Sequence, residues 1–311
     1  MLFKNKVLLA KTESTYGTDS TPAATDAVLT KNLKIVPYGG NVVSRDLDRS
    51  SAGAQTSINT GPMVSLTFDV EIAGSGTAGT APAWAEILMA CAFEETIVAV
   101  TSAAYTLVSP DLSDSLTIKY YIGGQEHKVL GARGSVSFSL ARGAIPTMSF
   151  NFIGLYATPT AVSNPTPVTS DYISPVAVTN TNTPTFTVLG TAVKAESMSV
   201  DLANNVVHRD VIGDESVFIT DRNANGSMII EAPAIGTKDW FSDVESHAGI
   251  TTGAVQLVHG TTAGNIATFD GPAVQLSLNG EIGESEGIVV YDMSTSWTPS
   301  SGNDEFSITL T

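Results

Sequence analysis

The chain has 311 residues, 42% hydrophobic and only 15% charged, enough apolar material for two ordinary cores and too much for a disordered polymer. Its formal net charge is −16, from 31 acidic and 15 basic residues. Tight static binding of nucleic acid needs Lys and Arg set against phosphates, so the composition argues against that function from the outset. The charge is also unevenly placed. Residues 196–311 carry 17 acids and 3 bases, whereas residues 1–195 carry 14 and 12. Such blocks describe either a solvated face or a molecule that assembles head to tail.

In chain order, residues 1–32 form a slightly basic arm containing Lys4, Lys6 and Lys11. Its apolar run, Val7–Ala10, is too short for a signal-peptide core, and nowhere is there a stretch of membrane-spanning length. With a single cysteine, Cys91, no intrachain disulfide is possible, and the expected folding compartment is the reducing cytoplasm. A long loop over Ser44–Pro62 precedes strict alternation of Val64, Leu66, Phe68, Val70 and Ile72 with Ser65, Thr67, Asp69 and Glu71, the pattern of a strand with one buried face. Pro82 to Phe93 is predicted as a helix with Trp84, Ile87, Leu88 and Cys91 on one face, which makes Cys91 a core residue. Alternation returns at Val136–Leu140, Met198–Leu202, Val274–Leu278 and Phe306–Leu310. A second helix is predicted over Lys238–His247. Strands of this kind build antiparallel sandwiches or barrels.

The pattern repeats. Asn41-Val42-Val43-Ser44-Arg45-Asp46-Leu47 returns as Asn205-Val206-Val207-His208-Arg209-Asp210-Val211, and Gly61-Pro62-Met63-Val64 as Gly226-Ser227-Met228-Ile229. Trp84 then matches Trp240, and Val136-x-Phe138-x-Leu140 matches Val274-x-Leu276-x-Leu278. The landmarks keep their order, which implies two tandem units, 33–156 and 196–311, each with one helix. Between them, 157–195 reads as a linker rich in Pro, Thr, Asn and Val.

Three motifs invite a chemical reading. Gly74-Ser75-Gly76-Thr77-Ala78-Gly79 has the literal spacing of a dinucleotide fingerprint. However, the strand before it has a wet face, and the helix starts at Pro82, outside the motif. Asp221-x-Asn223-x-Asn225-Gly226 begins like a calcium loop, but the twelfth position is Ala232, not a bidentate Glu, so a turn between strands is the better reading. His127, His208, His247 and His259 have no metal-ligand spacing. No nucleophile elbow is present. The residues therefore point to neither catalysis nor a cofactor.

Leu8-Leu9-Ala10-Lys11, Tyr16-Gly17-Thr18-Asp19, Pro22, Leu33-Lys34-Ile35-Val36-Pro37, Arg45-Asp46, the strand Val64–Ile72, the Gly-rich loop running to Pro82, and Ala90-Cys91-Ala92-Phe93 follow one another in a familiar order. Over residues 7–95 this resembles the tail tube (major tail) proteins of siphophages, departing from them at Trp84-Ala85-Glu86, where a smaller, glycine-containing turn is expected. The resemblance implies a mainly β chain of two antiparallel sandwich or barrel-like units, each with a flanking helix. It also implies self-assembly into rings stacked around a DNA channel in the virion tail. With two units per chain, the expected ring is a homotrimer of pseudo-sixfold symmetry. Implied partners are further copies of itself, the tail terminator, tail tip and tape measure proteins, and phage DNA in transit, with no membrane and no cofactor. Ring contacts are expected from the arm (Lys4, Lys6, Lys11), from Ser44–Pro62 with Arg45, Asp46 and Arg49, and from Ile212–Gly226 beside Arg209 and Asp210. Each Arg-Asp pair either bridges an interface or closes its own turn. Competing readings are another tail component (a terminator or baseplate ring), a surface adhesin or pilin-like sandwich, and an enzyme with a nucleotide site at the Gly-rich loop.

Overall fold

The computed structural model describes residues 3–247, 249–278 and 280–311. The first stretch of chain gives β1 (Lys6–Thr12), β2 (Ala27–Val28), β3 (Lys31–Val36), the hairpin β4 (Asn41–Ser44) and β5 (Ser57–Thr60), and β6 (Met63–Glu71). Helix α1 (Ala85–Met89) leads to β7 (Phe93–Val98), β8 (Ser102–Leu107), β9 (Leu116–Ile122), the long β10 (Gln125–Ala141), β11 (Thr147–Tyr156) and β12 (Thr160–Ala161). Next come β13 (Thr185–Val188), β14 (Thr191–Ala192), β15 (Ala195–Asp201), the hairpin β16 (Asn204–Val211) and β17 (Asp214–Arg222), and β18 (Asn225–Glu231). Helix α2 (Trp240–Val244) precedes β19 (Thr252–His259), β20 (Ala267–Leu278), β21 (Gly283–Ser285), β22 (Ile288–Trp297) and β23 (Ser307–Leu310). The chain is mainly β, as the alternation predicts.

Eight strands form a ribbon in the order β3-β6-β11-β10-β15-β18-β22-β20, every neighbour antiparallel. Two long strands carry a second layer. The first part of β10 pairs with β9, which pairs with β1 and through it β2. The first part of β20 lies between β19, which continues to β13 and β14, and β23, which continues to β8 and β7. A bulge between Leu130 and Arg133 bends β10 from one layer into the other. Among the described residues no pairing joins the ends of the ribbon, so the sheet stays open.

The apolar face of the ribbon and the second layer enclose one core. Leu66, Phe68, Phe138, Met198, Met228 and Leu276 share it with Leu8, Ile118, Trp84, Val255 and Ile308. Both helices are shorter than the sequence suggests. α1 starts three residues after Pro82, because Pro82 and Ala83 form a turn closed by Ala85 N–H onto Pro82 O at 3.0 Å. Ala92, at φ 67°, then turns the chain into β7. α2 is capped by Asp239, whose carboxylate accepts from Phe241 N and Ser242 N.

Residues 1–32 and 157–195 are more structured than an arm and a linker would be. β1 pairs along its whole length with β9. Both its faces are covered, Leu8 and Ala10 by the main core and Val7 and Leu9 by Ala27 and Tyr121. The segment 157–195 runs over the surface of the chain, where Val168 N donates to Ala24 O and Val178 N to Ala144 O. It then contributes β13 to the sheet beside β19.

Candidate functional site

The strand faces and borders of the ribbon carry the candidate site. Because the ribbon strands alternate, the side opposite the core carries the small polar partners of the core residues: Ser65, Thr67, Ser137, Ser149, Ser199, Ser227, Ser294 and Ser277. Asp69, Asp201 and Asp292 punctuate this hydroxyl surface. Asp69 is fixed by Asn32 Nδ2 at 2.6 Å and Ser149 Oγ at 2.7 Å. Lys31 pairs with Glu71 at one margin. A shallow depression in the same face is lined by Lys34, Thr67, Asp69, Ser137, Ser149 and Asp201. Hydroxyls and carboxylates stay hydrated beside a polyanion without neutralising its phosphates, and the exposed base Lys34 sits at the β3 margin of this surface.

The ribbon has two open borders. Beyond β6, β3 pairs with no other strand among the described residues. At the far end β19 leaves β20 after the pair Thr252–Gln275, so Leu276–Leu278 have no strand on that side among the described residues. In β10 the corresponding stretch, Ser137–Ala141, is where β15 pairs. Unpaired strand borders are templates for another strand.

The two hairpins differ in their surroundings. β16–β17 lies across β10 and β11. Val217 N–H donates to Tyr16 Oη at 2.5 Å, and Arg133 Nη1 donates to Val217 O at 2.9 Å. Arg133 also bonds Ser113 O and sits over the Tyr16 ring. Burial pushes the Tyr16 phenol up and the Arg133 guanidinium down from their ordinary values. Asn204 Nδ2 reaches Cys91 O and Gly134 O. β4–β5 has no such bed, and Val42, Val43, Leu47 and Ile58 are exposed.

The sequence-level candidates separate accordingly. Lys6 Nζ donates to Leu33 O, and Lys11 lies 3.9 Å from Asp26, so both are engaged within the chain. Asp46, at φ 24°, accepts from Ser44 Oγ and closes its own turn. Arg45, Arg49 and Arg209 are exposed and have no ion pair among the described residues. Asp210 instead packs against Gly61 at the base of the other hairpin. Lys4 is exposed near the N-terminus.

The Gly-rich loop meets backbone rather than opening toward a ligand. Gly76 N–H donates to Gly264 O and Gly74 N–H to Asn265 Oδ1, and a Cβ on Gly74 would lie 2.0 Å from Gly264 O. This close approach explains the glycines without a phosphate. Asp221 and Arg222 end β17, Asn223 and Ala224 make the turn, and Asn225-Gly226, expected to form the turn, instead begin β18. Cys91 is fully buried, and burial raises its thiol well above the ordinary value. Sequence reasoning did not find the Tyr16–Arg133–Val217 contact, since nothing local marks residues 201 positions apart as neighbours.

A search of curated proteins finds no match. The profile of the phage tail tube protein family matches residues 4–298. The chain belongs to that family. The match takes in both hairpins, the whole eight-strand ribbon and the segment between the two predicted units, well beyond the 7–95 that carries the sequence resemblance. This tail tube protein is therefore a structural component of the virion tail, and its open-bordered, β-rich fold is consistent with assembly into stacked rings. Among the described residues, no helix of the tube protein is long and apolar enough to cross a membrane.

Proposed function

We propose that the tube protein forms homotrimeric rings, in which β3 of each chain pairs with the open stretch of β20 in the next, and that these rings stack into the tail tube. The observation that carries this reading is the ribbon itself. Its eight strands alternate in direction, so the two border strands run oppositely and can pair as antiparallel neighbours between identical chains.

Geometry favours three chains. Strands about 4.8 Å apart and tilted about 40° give a 24-strand barrel a backbone diameter of roughly 48 Å. After side chains, this leaves room for a double helix of roughly 20 Å, little more than twice the depth of its grooves. Two chains would make a 16-strand barrel, in the range that leaves only a narrow aqueous channel. Six would double the bore. The serine and aspartate face then lines the channel, and DNA passes without sticking.

The trimer makes each chain two units of one plan. In support, β6, β11 and β10 meet in the row Phe68–Phe150–Val136, while Ala224, just before β18, joins β22 and β20 in the row Ala224–Trp297–Val274. These rows keep the spacing of Trp84 and Trp240, whereas the likeness of Gly61 to Gly226 falls outside them. The units 33–156 and 196–311 suit this arrangement, with residues 1–32 and 157–195 packed alongside. The channel surface has the character of a conduit rather than of an enzyme. Folding in the host cytoplasm precedes joining of the tail terminator, tip and tape measure proteins. Arg45, Arg49 and Arg209 are free to make contacts between chains, and Lys4 between rings.

Purified protein examined by electron microscopy with mass measurement tests this. Striated hollow tubes, or discs of three chains, are expected, and discs of six would refute the trimer.

A further inference from the structure

The two borders of the ribbon differ in charge. Beside β3 lies a groove of about 360 Å³ lined by Phe3, Lys4, Lys6, Thr30, Leu33 and Lys34, with no acid among its walls. Lys6 Nζ holds only Leu33 O, and neither Lys6 nor Lys34 has an ion pair among the described residues. Residues 3–6 and 29–36 contain four lysines and no acid. Counting Asp69 and Glu71 from neighbouring β6 still leaves a net charge of +2. The far border has the opposite sign. β20 and β21 both lie on the side of β22 away from β18, with Leu278 facing Met293 and Gly283 facing Val290. Since β21 pairs only with β22 among the described residues, the open border runs over 276–278 and again over 283–285. Residues 276–292 contain Glu281, Glu284, Glu286 and Asp292 and no base. Arg142 takes Glu286, whereas Glu281 and Glu284 are exposed and have no ion pair among the described residues.

We propose that the basic groove beside β3 receives the acidic β20–β21 border of the next chain, with Lys6 and Lys34 set against Glu281 and Glu284, so that charge selects the unlike border as the ring closes. This rests on the ring reading above and adds β21 and the groove to its seam. Antiparallel addition brings Gly283–Ser285 toward the Lys31 end of β3. Phe3, 74% exposed in the groove, and Ile282, 63% exposed between the two glutamates, supply apolar surface on either side of the contact. The wrong pairings repel: β3 on β3 sets lysine against lysine, and β20 on β20 sets glutamate against glutamate. Opposite charge steers docking even where each exposed pair adds little affinity, and salt weakens that steering.

Charge reversal, read by ring mass, tests the contact. Lys6→Glu with Lys34→Glu makes both borders acidic, and Glu281→Lys with Glu284→Lys makes both basic. Each variant is expected to stay monomeric at concentrations where the native chain forms three-chain rings. The glutamate variant, whose changed side chains are exposed, keeps the test valid if loss of the Lys6 bond to Leu33 O lowers melting. All four substitutions in one chain exchange the signs of the borders and should restore three-chain rings. A mixture of the two reversed chains should give open oligomers, since alternation cannot complete a ring of three. Closed rings from that mixture would support the contact and overturn the trimer, because they hold an even number of chains. Three-chain rings from the glutamate variant would overturn the contact and leave the ring intact. A four-substituted chain that melts as the native one does yet stays monomeric would also overturn it. Short duplex DNA bound by free native chains, and lost in a lysine variant that still forms rings, would assign the groove to a polyanion instead.

Discussion

Glu13 shows how few residues hold the first layer together. Its carboxylate is 8% exposed and accepts from Gly17 N, Ser115 Oγ, Thr117 Oγ1 and Gly131 N at 2.7–2.9 Å. Removing it leaves three buried donors and one half-buried donor without their acceptor, so Glu13→Ala should cost about 3 kcal/mol, read as a lower midpoint in denaturant titration. His259 ties the segment before β13 to β19. Its Nδ1 accepts from the Thr183 hydroxyl at 2.9 Å, while Nε2–H donates to Val176 O at 3.2 Å. Burial holds this imidazole below its ordinary value of 6.5. Below pH 6.5 the unfolded chain therefore binds a proton that the folded chain resists, and stability falls as pH drops from there through the lower folded value. A melting-temperature series from pH 7.5 to 5 should slope downward, and His259→Gln should flatten it. The sequence makes His259 legible as a residue without metal-ligand spacing, but not its partners, which lie 76 and 83 positions away.

At the scale of elements, the joint between β10 and β15 is already made within one chain, whereas the borders at β3 and Leu276–Leu278 are open. Amides facing those two borders should exchange rapidly in unassembled protein and slowly in tubes. Those between Ser137–Ala141 and Ser197–Asp201 should be slow in both. Equal rates at the borders before and after assembly would remove the seam. The long alternating strands were legible because one face of each meets core and the other does not, as in Val64–Ile72. Weaker elements were hidden. β13 is four residues, Thr185–Val188, inside a stretch rich in Pro, Thr and Asn, and pairing with β19 defines it. β1 was masked for the opposite reason: both faces are covered, so no alternation survives. The predicted helices overran because Pro82 begins a turn and Ala92 reverses the chain, both tertiary outcomes of packing Trp84 and Phe93.

For the whole molecule, Arg222 connects the two halves: it pairs with buried Glu305 in its own half and donates to Val108 O in the other. Arg222→Ala strands an unpaired carboxylate and should destabilise the chain by about 3–4 kcal/mol, measured by reversible unfolding. The channel face gives a second test. Asp201→Lys with Asp292→Lys should make tubes retain short duplex DNA in co-sedimentation at low salt and release it at high salt, whereas native tubes retain none. Retention by native tubes would contradict the non-adhesive wall.

Pairing two unlike borders, β3 with β20, has a consequence beyond closure of a ring. Every chain must enter with the same end up, since turning one over would exchange its borders and set β20 against β20 and β3 against β3. A ring built this way has unlike top and bottom surfaces, and a stack of such rings is a directional filament. Its ends then differ chemically without any added subunit, so growth can be started at one and stopped at the other.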